Sequence, residues 1–291
     1  MSLIITTYVR EGIVLSSDSR LSISSKQMNL INVVQSDSVR KTFLTKNNVG
    51  ISTCGTADIS GVPISGYIDS FIRDVVGNQD LNVEDIADLL LNHFLSINPK
   101  LNTIFHIAGY DTAKEELKGE ETKDPSKSSL ADIDNKSLKE LDIKTLKELD
   151  IKRLKKIPIG PSETKEKKMI NNVRIPRVFK IHILSKAKIN LLPQPNIQGT
   201  TFDGYANTIL KIVKPVQVIN GKGIAPTLIP TNGIQFSFFT LQDAIDFNRF
   251  GTQTTIDTMK FEFVDKSVGG PIDILVIEPD RSQWIQNKKL H

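Results

Sequence analysis

Apolar residues recur along this chain at two different spacings, and the change from one to the other marks its elements. Leu3 to Arg10 is rich in Ile, Thr, Tyr and Val, Glu11-Gly12 supplies a turn, and Ile13 to Leu15 resumes the same pattern before the polar run Ser16 to Arg20. This predicts a β-hairpin. After a polar stretch, Thr42–Thr45 and Val49–Cys54 predict a second strand pair around Lys46-Asn47-Asn48, residue types that suit a tight turn.

The spacing then lengthens to that of a helix. Ile64, Ile68, Phe71, Ile72 and Val75 follow Pro63, and Val83, Ile86, Leu89, Leu90, Phe94 and Ile97 follow Asn82, a good N-cap, with Asp85 in the first turn and Pro99 as a stop. Strands are expected at 103–108, 178–184 and 188–192, a third helix at about 203–213, a final helix after Thr240, and strands at 260–264 and 272–277. The order β, αα, β, α, β predicts an α+β class.

Between about residues 113 and 172 the composition shifts to Lys, Glu, Asp, Ser and Thr with almost no aromatics. Here KSLKELDI (136–143) recurs as KTLKELDI (144–151) and decays into KRLKKI (152–157), a period of eight. At a helical turn, Leu138, Leu141, Leu146 and Leu149 share a face of roughly 140° whereas Ile143 and Ile151 fall elsewhere. So few large apolar groups offset little ordering entropy, and the segment reads as a charged insertion within a single domain spanning 1–291.

Composition excludes several classes. The 291 residues with 39% hydrophobic content suffice for a well-buried core, and a formal charge of +4, with much of the Lys in the insertion, is a poor signature for nucleic-acid binding. No apolar run approaches the roughly 18 residues of a membrane span, and the N-terminus lacks the charged, apolar and small-residue zones of a signal peptide; the expectation is a cytoplasmic protein that engages no membrane. Cys54 is the single cysteine, and His93, His106, His182 and His291 never share ligand spacing, so neither a metal site nor a cofactor is expected. His106 and His182 alternate with apolar neighbours and read as structural. Cys54 reads as a packing residue rather than a nucleophile.

The segment REGIVLSSDSR (10–20) resembles the first hairpin of proteasome β subunits and of their bacterial HslV and Anbu relatives, with Gly12, Asp18 and Arg20 in register. The resemblance, which covers roughly 1–112 and 173–280, implies a four-layer αββα sandwich of two antiparallel sheets flanked by helices, the N-terminal nucleophile (Ntn) hydrolase fold. In that family the nucleophile lies ten positions before the Gly and sixteen before the Asp, which lands on Ser2, directly after Met1. Removal of Met1 would free a hydroxyl and an α-amine on one residue, and an amine with an unperturbed pKa of roughly 7.7–8.0 can act as base near neutral pH. By the same resemblance Asp18 and Lys41 supply electrostatic support, with Arg40 a near competitor of Lys41. The backbone at Cys54 and Gly55, in VGISTCGTAD (49–58), forms the oxyanion site, and Asp265, in DKSVGG (265–270), supports the amine. Val268 stands where the family has a Ser, leaving Ser267 or Thr200 as possible amine support.

These residues lead to peptide or amide hydrolysis by a homo-oligomer acting on a peptide or protein substrate, with any unfoldase partner unspecified. Two alternatives remain open: a catalytically silent, proteasome-like assembly or binding protein, and an amidohydrolase acting on small molecules.

Overall fold

The computed structural model describes residues 2–25, 30–115, 171–192, 194, 197–213, 217–218, 227–228 and 233–288. The chain divides into two units, residues 1–113 with 173–291 and residues 114–172. The eight-residue repeat lies outside the described residues.

The first unit is α+β, with sixteen strands among the described residues, in chain order: β1 (Leu3–Tyr8), β2 (Ile13–Ser17), β3 (Leu21–Ser25), β4 (Leu30–Ser36), β5 (Thr42–Leu44), β6 (Gly50–Gly55), β7 (Asp58–Ile59), β8 (Val62–Pro63), β9 (Thr103–Glu115), β10 (Asn171–His182), β11 (Ala187–Asn190), β12 (Gly199–Gly204), β13 (Gln217–Val218), β14 (Thr227–Leu228), β15 (Asp273–Ile277) and β16 (Ser282–Gln286). Its α-helices are α1 (Ile64–Ser70), continued by a π-helical turn over Phe71–Val76, α2 (Val83–Ile97), α3 (Asn207–Val213) and α4 (Leu241–Phe261).

One five-stranded sheet runs β12-β1-β2-β15-β16, antiparallel at every pairing; the other runs β11-β10-β9-β6-β5. Ile13 and Leu15 of β2 and Leu275 and Ile277 of β15 pack with Ala108 of β9 and Val178 of β10, so the two sheets face each other across one apolar cluster. The opposite face of the first sheet carries Leu3, Ile5 and Val14 against Ile209 of α3 and Ala244, Ile245, Phe247 and Met259 of α4. On the second sheet, Ile51, Phe105 and Ile181 pack against Ile64 and Ile68 of α1 and Ile86, Leu90 and Phe94 of α2. Burial on both faces explains why β1, β2 and β15 are near-continuous apolar runs rather than alternating ones.

Both long helices begin as their sequences dictate. Asn82 and Asp85 form a reciprocal capping box on α2, and Thr240 and Asp243 form one on α4. Three expectations are corrected. The third helix starts at Asn207 rather than at Asp203, because Asp203 belongs to β12, whose Gly199–Gly204 pairs along the whole of β1. Residues 260 and 261 end α4, and 262–264 form no strand; the buried series Phe247, Asn248, Gly251, Thr252, Thr255 and Met259 keeps helical spacing to the end, with Thr252 and Thr255 hydroxyls bonded back to the carbonyls of Asn248 and Gly251. The polar stretch after Arg20 contains the β3–β4 hairpin, antiparallel from Leu21↔Ser36 to Ser25↔Leu30. Among the described residues no helix is long and apolar enough to cross a membrane.

Candidate active site

Asp18, at the end of β2, is fully buried and gathers four segments. Its Oδ1 accepts from the Leu3 backbone N–H at 3.0 Å and from Lys41 Nζ at 2.8 Å; its Oδ2 accepts from the N–H groups of Arg20 at 3.1 Å and Gly269 at 3.0 Å. A buried carboxylate is tolerated only when its lone pairs are filled this way. Lys41, 5% exposed, donates a second bond to the Arg20 carbonyl at 2.6 Å, and its own carbonyl is held by the Thr53 N–H at 2.9 Å. Arg40 is excluded from this role: it is exposed, pairs with Asp69 and lies 4.6 Å over the Phe43 ring.

Ser2 is buried beside this pair. Its carbonyl accepts from the Tyr205 N–H at 2.7 Å and sits against Gly204, whose φ of +91° and lack of a side chain are both required there: a Cβ would lie 1.7 Å from the Ser2 oxygen. Ser2, Lys41, Cys54 and Gly55 line one pocket of about 230 Å³, together with Leu21–Ile23 of β3, Val39, Thr53, Thr56–Asp58 and Ile64. Gly55, at φ +112°, ends β6 where a Cβ would meet the Asn102 carbonyl at 2.2 Å. Thus Ser2, Asp18, Lys41, Cys54 and Gly55, drawn from β1, β2, the start of β5 and the end of β6, converge. The Cys54 thiol is 4% exposed, and burial, reinforced by nearby Asp203, pushes its pKa up to about 12. It is no thiolate nucleophile.

The predicted amine-supporting residues fall in two places, Thr200 far along β1 and Asp265 and Ser267 in the segment whose Gly269 N–H bonds Asp18. Thr200 is placed elsewhere: it pairs with Thr7 four positions along β1 from the Leu3↔Gly204 pair, roughly 13 Å away at strand rise, and its hydroxyl lies 3.0 Å from that of Thr7. Asp265 is exposed in the bend after α4, its carbonyl accepting from the Ser267 N–H at 2.7 Å. Ser267 is buried with no hydrogen-bond partner for its hydroxyl and does not line the pocket. Val268 packs with Leu3, Ile5 and Met259, so its place is apolar core.

Two flanking networks are not apparent from the sequence motifs. Lys288, 5% exposed on its side chain, donates to Asp273 Oδ2 at 2.5 Å, Ser19 Oγ at 2.6 Å and the Val39 carbonyl at 2.9 Å, while its backbone N–H fills Asp273 Oδ1 at 3.0 Å. Burial lowers the pKa of Lys288 from its ordinary value, against the opposing pull of Asp273. This residue therefore ties the segment bearing Asp18 and Arg20 to the one bearing Lys41.

The second network crosses between the sheets. His106 Nε2 lies 2.8 Å from Asp203 Oδ2, Lys180 Nζ donates to Asp203 Oδ1 at 2.6 Å, and Thr6 Oγ1 lies 2.9 Å from His106 Nδ1. A carboxylate only accepts, so Nε2 carries the proton and Nδ1 accepts from Thr6. Burial holds the imidazole pKa below its ordinary value and outweighs Asp203, consistent with a neutral ring. Burial also opposes ionisation of Asp203, but the bonds from His106 and Lys180 win and keep its carboxyl below the usual range. Thr6 and His106 are fully buried, and the network joins β1 and β12 of one sheet to β9 and β10 of the other. The only sequence signal was the alternation of His106 with apolar neighbours, which marks an inward-facing position.

Among the described residues no group of three or more His, Cys, Asp and Glu side chains could hold a metal ion. The site offers a hydroxyl residue, a buried lysine and turn backbone around a small pocket. No family model matches the chain, and no curated protein matches it.

Proposed function

We propose that the protein is a proteasome-like Ntn hydrolase that cleaves peptide or amide bonds with Ser2 after removal of Met1. The helix pairs packed on the outer faces of two facing antiparallel sheets support the four-layer αββα reading. The observation that carries the functional reading is the Asp18 carboxylate, bonded at once to the Ser2-adjacent Leu3 N–H and to Lys41, which lines the same pocket as Ser2.

In the proposed reaction the free Ser2 amine takes the hydroxyl proton as Oγ attacks the substrate carbonyl. The oxyanion gains charge stabilisation from backbone N–H donors at Cys54 and Gly55 and from Lys41. The proton passes to the leaving amine, and water then releases the acyl group from Oγ. Ser2→Ala and an N-terminal extension should each abolish hydrolysis with the fold intact, Ser2→Thr should retain it, and Lys41→Ala should lose on the order of 10²-fold or more. Full activity of an N-terminally tagged protein would sink the assignment. The reading also implies a homo-oligomer, for which light scattering should find a large species.

Burial of Val268 in the core, where the resemblance expects a supporting Ser, favours the silent-assembly alternative. An electrophilic probe that labels mature Ser2 argues for the enzyme; failure to label a protein with a confirmed free Ser2 argues for the silent member.

A further inference from the structure

The pocket beside Ser2 has a mixed lining, with Ile23, Val39, Ala57 and Ile64 among its apolar groups. Two of its polar lining residues differ from the rest. Thr53 is 2% exposed and its hydroxyl has no hydrogen-bond partner; Ser22, on β3, likewise has a buried hydroxyl with none. Their neighbours are satisfied: Lys41 is bonded to Asp18 and the Arg20 carbonyl, Arg20 is held by Asp37 at 2.6 and 2.8 Å, and Thr56 bonds the Asn102 carbonyl. Thus two residues that line one small pocket, from two separate elements, carry unfilled hydroxyls.

Buried hydroxyls without partners are uncommon, and each one shut away from water counts against whatever fills the space. We propose that this pocket selects a substrate side chain with an apolar stem and a neutral carboxamide end, glutamine above all, at the position next to the bond cleaved. This rests on the hydrolase reading of the same site. A carboxamide presents one acceptor and two donors, so it can fill both hydroxyls while its methylenes run along Ile23 and Ile64. Methionine has the same reach but would seal both hydroxyls off unfilled. A carboxylate would bring its charge to a pocket whose lysine is already neutralised by Asp18 and which also carries Asp58. About 230 Å³ is room for one side chain of that length.

The test uses two acetylated tripeptide coumarin amides that differ only in glutamine or methionine before the coumarin, offered to the mature full-length protein. Their binding to the Ser2→Ala variant is measured in parallel by calorimetry. Glutamine should lead by roughly tenfold or more in kcat/KM, since sites built to hydrogen-bond discriminate strongly against analogues lacking the group. Thr53→Val together with Ser22→Ala should bring that ratio close to one, and each single change should lie between. Equal or methionine-favouring turnover by the wild type would overturn the inference while leaving the hydrolase intact. If neither peptide is cleaved but Ser2→Ala protein binds the glutamine peptide preferentially, the selectivity stands and the hydrolase reading falls. Absence of any preference in both measurements overturns the inference.

Discussion

Gly204 occupies its place because the Ser2 carbonyl oxygen fills the space where any other residue would carry its Cβ, 1.7 Å from the ideal position. The neighbouring Tyr205 N–H holds that same oxygen at 2.7 Å. Ser2 is thereby fixed from the backbone of β12 as well as from Asp18.

Replacement of Gly204 by alanine should therefore be costly twice over. Left-handed backbone strain at a non-glycine residue costs on the order of 1–3 kcal/mol, and the overlap must in addition displace Ser2 or the β12 end. Urea unfolding should show a loss of at least about 1 kcal/mol, and the Tyr205 amide should lose protection from hydrogen exchange. A variant as stable as the wild type with that amide still protected would show that Ser2 is held some other way.

Lys288 and Asp273 form a buried pair whose separate removal should be harsh and whose joint removal should be mild. Lys288→Ala takes the bonded cation away from the fully buried Asp273 carboxylate and should destabilise by about 3–5 kcal/mol, whereas Lys288→Met combined with Asp273→Asn should recover much of that loss. Chemical denaturation of the three proteins decides it. Additive losses would mean that the two residues act independently.

The neutral state of His106 predicts a pH window. Its folded pKa lies below the ordinary value of 6.5, so as the pH falls the unfolded chain takes up a proton first. The stabilisation is complete above about pH 6.5 and is lost progressively beneath it. Asp203, whose folded pKa is also depressed, adds a loss only below its ordinary 3.8. His106→Asn should be less stable at pH 7.5 but show a shallower decline between pH 6.5 and 5, with His93, also held low by burial, keeping part of the slope. Melting temperatures across that range will show it, and parallel curves for the two proteins would exclude a protonation-linked role for His106.

Local chemistry made much of the fold legible. Caps at Asn82 and Thr240 and the helical spacing that follows them predict α2 and α4, because capping and amphipathicity act over a few residues. The β3–β4 hairpin was hidden by its serines and by exposed Val33 and Val34, which give no one-sided pattern. The strand at 199–204 was illegible for a different reason: in Gly-Thr-Thr-Phe-Asp-Gly the strand-favouring Thr-Thr-Phe run is too short to stand out, and pairing with β1, nearly two hundred residues earlier, decides. In the candidate site, Ser2, Asp18, Lys41, Cys54 and Gly55 were readable from motif spacing. Thr200 pairs with Thr7, away from Ser2, since proximity in the folded chain depends on strand register that no motif records. Lys288 carried no local signal at all.

Asp18 draws its four donors from residues 3, 20, 41 and 269. The last of these arrives only after more than nine-tenths of the chain has been synthesised. A chain ending between Lys41 and Gly269 holds Ser2, Asp18 and Lys41 yet lacks one wall of the carboxylate's cage, and β15, a partner of β2, is missing with it. Such non-local closure is slow to form. The cage around Asp18 is thus complete only once the C-terminal segment that carries Gly269 and β15 has docked on β2.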